Sequence, residues 1–168
     1  MVTTQTDDMT PETTGDSITG EIDRSLLSVA RVMNQVRVHA RLRAEAGVDI
    51  DRAGAAVLYK LLVETDSLRL CDLAERLGID SPAVTRKVQQ LEQLGLVARS
   101  PDPVDGRASR LLLTDQGRGS IERLLGARRK WLEEQLSEWP LDDRREFARL
   151  LELFAHTLEH DGEVRHGH

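Results

Sequence analysis

Cysteine is almost absent: Cys71 is the one thiol in 168 residues. That excludes an internal disulfide and any metal site built from several cysteines, and a reducing, cytoplasmic compartment is the natural expectation. Aromatic residues are scarce too, at 3%, with Leu, Val and Ala in their place. Such a composition suits packing of helix on helix better than a large β-sandwich. Uninterrupted apolar runs reach only a few residues, far short of a membrane span. The stretch from Met1 to Glu21 lacks the apolar core of a secretory signal. Basic charge is short overall, with 23 Lys and Arg against 29 Asp and Glu. Six of those acids (Asp7, Asp8, Glu12, Asp16, Glu21 and Asp23) lie in residues 1–23, which hold no Lys or Arg. The remainder therefore carries 23 charges of each sign, and a local basic face stays compatible with the acidic total.

What is present is helical periodicity. Residues 1–17, rich in Thr, Asp, Gly and Pro, read as a disordered acidic tail. From about Ile18 to Ala46, apolar residues recur at three and four (Ile22, Leu26, Ala30, Met33), and Gly47 reads as a C-cap. A second helix is expected over about Asp51–Glu64, with Ala55, Leu58, Leu61 and Leu62 inward. Leu70–Leu77 reads as a short helix closed by Gly78, and Ser81-Pro82 as the N-cap and first position of the next, which runs to about Leu94. Two short strands, 96–100 and 109–113, flank a tip containing Pro101, Pro103 and Asp105-Gly106. Thr114-Asp115 then starts a long helix over about 116–139, Pro140 stops it, and a last helix begins near Asp142. Residues 160–168 read as a loose tail.

Two short helices joined by a glycine-containing turn form a helix-turn-helix. Leu70, Leu73, Ala74 and Leu77 would pack on Val84, Val88 and Leu91, turning Ser81, Pro82, Thr85, Arg86, Gln89 and Gln90 outwards. Arginine, glutamine and hydroxyls can read base edges or hold phosphates, and a surface lying on phosphates should lack carboxylates, as this one does until Glu92. The hairpin adds Arg107 and Arg110, and an arginine on such a hairpin can enter a minor groove. Asp105 and Arg107 are close enough in the turn to pair. Singly, each feature also fits ordinary helical packing or a solvated charged face. Their joint order favours a mainly α fold with a small β-hairpin wing: a winged helix-turn-helix over 48–115, and a helical dimerisation region over 18–47 and 116–160. Double-stranded DNA is the expected partner.

Enzymatic chemistry finds little support. No Ser–His–Asp or Cys–His spacing stands out, and Glu133-Glu134 lie on a helix surface. Gly117-Arg118-Gly119 opens a helix after a strand, yet Glu122 occupies the third glycine position of a nucleotide-binding loop. His156, His160, His166 and His168 supply no ordered ligand set, so neither a metal nor a cofactor is expected. Cys71 at a helix start admits a redox-sensing reading, although a small half-buried residue is the preferred one. A winged-helix interaction module without DNA binding is the other alternative, and it would present an apolar or acidic outer face.

These residues resemble the MarR family of transcriptional regulators. The resemblance runs from about Ile18 to Leu158 and rests most on Leu73-Ala74-Glu75-Arg76-Leu77-Gly78-Ile79, Val84-Thr85-Arg86 and Leu91-Glu92-Gln93-Leu94-Gly95-Leu96-Val97. It continues through Asp105-Gly106-Arg107 and Leu113-Thr114-Asp115-Gln116-Gly117. It implies a homodimer formed through the first helix and the two C-terminal helices, with two winged helices on a pseudo-palindromic operator, and a repressor is the expected role. By the same resemblance Ser81, Thr85, Arg86 and Gln90 would contact the major groove and Arg107 the minor groove, while Pro82 fixes how the helix begins. Family members often release DNA on binding a small phenolic or anionic ligand. Here His39, Arg43, Tyr59 and Trp131 are the candidates to face such a cleft, although packing explains each of them as well. The family's peroxide sensors carry their cysteine in the first long helix, where this chain has none.

Overall fold

The computed structural model describes residues 12–64, 67–102 and 109–165. The chain divides into two compact units, Met1–Leu124 and Leu125–His168. The first unit contains α1 (Glu12–Met33), α2 (Val36–Ala46), α3 (Arg52–Val63), β1 (Leu68–Arg69), α4 (Leu70–Leu77), α5 (Ser81–Gln93), β2 (Val97–Pro101), β3 (Ser109–Leu113) and the start of α6 (Asp115–Gln135). The second contains the rest of α6 and α7 (Leu141–Arg165). The fold is mainly α with a small antiparallel sheet in the order β1-β3-β2. No helix among the described residues is long and apolar enough to cross a membrane.

Leu58 of α3, Leu73 of α4, Val84 and Val88 of α5, Leu111 of β3 and Ile121 of α6 form the centre of the first unit's core, each nearly inaccessible to water. These five elements can share one core because each sends in only one stripe. In α5 that stripe is Val84, Val88 and Leu91, spaced four and three. Glycine is required where the chain turns between these elements. Gly78 (φ 62°) lies between α4 and α5, and Gly95 (φ 69°) between α5 and β2. Gly117 is needed for space instead, because a Cβ there would stand 2.0 Å from the Leu96 carbonyl oxygen. That contact lets the first turn of α6 lie against the start of β2.

The structure differs from the sequence expectation at several boundaries. The helix expected over 18–46 is two, α1 and α2, parted at Asn34-Gln35. Arg52 at the start of α3 takes up the break, donating to both the Asn34 carbonyl (3.3 Å) and its side-chain oxygen (2.6 Å). Helix α1 begins at Glu12, so residues 12–17 of the expected tail are helical, as acidic residues near a helix N-terminus favour. Helix α7 likewise continues to Arg165 through residues expected to be loose. Asp80, not Ser81, caps α5: its carboxylate accepts from Ala83 N at 2.9 Å. The expected wing strands are present, and a third strand, β1, pairs Leu68 with Leu111 and Arg69 with Arg110.

Candidate nucleic-acid interface

Helix α5 turns by about 100° per residue, which sets Pro82, Arg86, Gln89 and Gln93 opposite its buried stripe. All four are exposed. Ser81 and Thr85 flank that face on one side, with the Thr85 hydroxyl donating to the Ser81 carbonyl at 2.7 Å. Lys87 and Gln90 flank it on the other. Gln93 was not among the residues singled out from the sequence, although its place seven residues after Arg86 puts it on the same face.

Charge pairing separates Arg86 from its neighbours. Among the described residues of α3 to β3, every other arginine and lysine is engaged. Arg52 holds Asn34, Lys60 and Arg76 both pair with Glu64, and Lys87 pairs with Asp51. Arg99 pairs with Glu92, and Arg69 and Arg110 share Asp102. Arg86 is exposed and makes no hydrogen bond or ion pair to a described residue. Glu92, the one carboxylate within α5, is taken up by Arg99 at 2.8 Å, and Arg99 also donates to Ser109 Oγ. The recognition-like face thus offers one unengaged guanidinium among amides and hydroxyls.

The base of the hairpin is held by a cluster that sequence reasoning missed. Asp102 is buried, and one of its oxygens accepts from Arg69 Nε at 2.8 Å and from Arg110 Nε at 2.9 Å. Arg110 also donates to the Ser67 carbonyl at 3.1 Å. Arg110, expected at the DNA surface, is therefore placed as a clamp that ties β3 to the end of β2. An antiparallel register between Arg69 and Arg110 brings the two guanidiniums to one carboxylate, and a two-residue β1 leaves no periodic signal from which to foresee it. Asp105, Gly106 and Arg107 lie outside the described residues.

The four residues considered for a ligand cleft are not brought together in the first unit. His39 Nε2 donates to the Ile50 carbonyl at 3.1 Å, linking α2 to the start of α3. Tyr59 is half exposed on α3, and Trp131 is half-buried in the second unit. Arg43 alone lines a cleft, of about 390 Å³, which it shares with Asp49, Ile50, Asp51, Lys87 and Gln90. It pairs with Asp49, while its Nε is buried without a partner among the described residues. Partial burial pushes the Asp51 carboxyl up, but the Lys87 ammonium and the Gly54 N–H outweigh it and hold the group below the usual carboxylate range. Cys71 is exposed, its thiol donating to Asp72 at 3.3 Å. No group of three or more metal-ligating side chains occurs among the described residues.

The family profile "MarR family" matches residues 56–109, the segment from α3 to the first residue of β3. An uncharacterized HTH-type transcriptional regulator of Bacillus subtilis, YdgJ, is 39% identical over 88 residues, covering 52% of this chain and 54% of that protein. A second from the same organism, YxaD, is 30% identical over 96 residues, covering 57% of this chain and 67% of its own length. The match to YdgJ thus spans about half of that relative. Among solved structures, a MarR family protein from Bacillus stearothermophilus superposes with a TM-score of 0.76 at 21% identity, over 86% of this chain and 97% of that one. Its likeness is one of fold. With the matching profile, the covered relative and the winged-helix core in agreement, this chain belongs to the MarR family.

Proposed function

We propose that this chain is a sequence-specific DNA-binding repressor that reads a pseudo-palindromic operator as a homodimer in the cytoplasm. The unengaged Arg86 at the centre of a carboxylate-poor face of α5 carries the reading, because a segment from α3 to β3 that engages its other described cations leaves this one for an outside partner. In it, Pro82, Gln89 and Gln90 accompany Arg86 in the major groove, Ser81 and Thr85 lie at its edge, and Arg107 reaches the minor groove. Arg110 acts one step back, by holding the wing.

Exposed apolar side chains support the dimer and the assignment of the terminal helices to it. Ile18, Ile22, Leu26 and Leu27 of α1 and Phe147, Leu150, Leu151 and Phe154 of α7 are each about 40–60% exposed in the single chain, more apolar surface than a monomer usually leaves to water. Two half-sites also supply the specificity that one reading helix lacks. A small phenolic or anionic effector, bound at the Arg43 cleft, releases the DNA and completes the proposed cycle.

Selection from a random duplex library, followed by affinity titration over salt, tests the reading. A symmetric selected site is expected. Arg86→Ala should weaken binding by about 1–3 kcal/mol if it reads a base, or lower the salt slope by about 1 per protomer if it holds a phosphate. No enrichment of any sequence, or an Arg86→Ala variant that binds like the parent, would overturn it.

A further inference from the structure

Gln90 is held by a chain of bonds that begins in the backbone of α3. Asp51 accepts from Gly54 N at 2.8 Å as that helix's N-cap, so its carboxylate is fixed by the fold. Its other oxygen accepts from Lys87 Nζ at 2.6 Å, and the same ammonium donates to Gln90 Oε1 at 2.8 Å. The Lys87 side chain is only 18% exposed. An ammonium has three donors and no acceptor, so the edge of the Gln90 amide that faces it must be the oxygen. A flipped amide would set N–H against N–H.

From this we infer that Gln90 presents its Nε2 donors, and not its oxygen, to DNA, and so prefers guanine or thymine, whose polar groove atoms only accept, over adenine, whose N6 donor would oppose it beside the N7 acceptor. The inference rests on the DNA-binding reading of α5. The bidentate glutamine–adenine pair needs the amide oxygen to accept from N6 while the amide nitrogen donates to N7. The Lys87 bond takes one lone pair of that oxygen and turns it towards the protein, away from the base edge, and the ammonium behind it polarises the amide into a better donor. Guanine offers O6 and N7, and thymine O4, to such a donor. Lys87 is then a positioning residue. Its charge is answered by Asp51, so it acts on the choice of base through Gln90 and adds nothing to the phosphate contacts. Arg43 and Asp49, which share the cleft, pair with each other and leave this chain of bonds undisturbed.

Selection from a random duplex library with the full chain, its Gln90→Ala variant and its Lys87→Met variant tests this. Methionine keeps the aliphatic stem and removes the ammonium. The position whose preference disappears in Gln90→Ala should be guanine or thymine in the parent. In Lys87→Met the amide is free to turn, and adenine at that position should gain about tenfold relative to the parent. The salt slope of Lys87→Met should match that of the parent, whereas loss of a phosphate contact lowers it by about 1 per protomer. Adenine at the Gln90-dependent position of the parent overturns the inference whether or not Lys87→Met folds. So does a uniform loss in Gln90→Ala with no base affected, or a lowered slope in Lys87→Met. A parent that enriches no sequence removes the DNA reading itself, and the inference with it.

Discussion

Asp102 offers the sharpest test of how the wing is held. Its side chain has no exposure, and it answers two arginines whose own side chains are 37% and 28% exposed. Asp102→Asn keeps the shape, removes the charge and leaves two guanidiniums facing a neutral amide. Removing one partner of a buried ion pair costs about 3–5 kcal/mol. Water can reach both arginines in part, which places the expectation near the lower end, at about 3 kcal/mol. For a chain of this size that corresponds to a melting temperature lower by about 6–12 °C, read from circular dichroism at 222 nm. Binding to a selected operator should weaken as well, because β1, β2 and β3 meet at this carboxylate. The cost should come from orphaned charge and not from lost volume. Replacing all three residues together, Asp102→Leu with Arg69→Met and Arg110→Met, should therefore recover most of the stability. A melting temperature for Asp102→Asn within about 2 °C of the parent would refute the reasoning.

Gly117→Ala should destabilise by about 3 kcal/mol, since its Cβ meets a backbone oxygen at 2.0 Å and Leu113 Cδ1 at 2.9 Å. Gly126→Ala, whose Cβ meets nothing nearer than Arg129 Nη2 at 3.9 Å, should stabilise by about 0.5–1 kcal/mol; equal effects in parallel melts would contradict the packing of α6 on β2. Asp51→Ala should cost about 1 kcal/mol through the lost cap and Asp51→Asn less. The lowered Asp51 pKa means that its contribution is fully present above the unfolded value of about 4 and is lost as pH falls through the folded value, so Asp51→Asn should flatten the acid limb of stability against pH. An unchanged limb would show that the Lys87 bond contributes nothing. Leu151→Glu on α7 should raise the dissociation constant of the proposed dimer by at least about a hundredfold, about 3 kcal/mol, and sedimentation that shows the same species as the parent would exclude α7 from that interface.

Local signals made most of the winged helix legible. Gly78 and Gly95 marked the turns they occupy, and the Val84, Val88, Leu91 stripe fixed which face of α5 is inward. Ser81 and Asp80 are both good caps, and the sequence does not say which carboxylate or hydroxyl reaches the free N–H; the carboxylate of Asp80 does. The break at Asn34 was illegible because what stabilises it, Arg52, lies eighteen residues on. Strand β1 was illegible for the same reason, since two residues acquire strand geometry only by pairing with β3. The type of Arg110 and its place on a hairpin suggest a DNA contact and give no sign of its clamping role. Its partner Asp102 is eight residues away in sequence, and only the folded hairpin makes the two neighbours. Non-local pairing, more than misjudged propensity, accounts for what the sequence left unread.

The pairing also changes what the acidic composition means. A winged helix whose other described cations, Arg52 apart, are drawn to Asp51, Glu64, Glu92 and Asp102 has less charge left for phosphates in general. Non-specific affinity is almost wholly electrostatic, so it should be weak here, while the base-edge contacts proposed for Arg86, Gln89 and Gln90 would lose nothing by the neutralisation. Binding to duplexes of random sequence at physiological salt should therefore fall at the weak end of the usual range, with a dissociation constant of about 10⁻⁴ M. Titration of a labelled random duplex measures it. A constant near 10⁻⁶ M or tighter would mean that cations outside the described winged helix, Arg107 among them, carry most of the attraction, and the internal pairing would then have no bearing on how this protein finds its site.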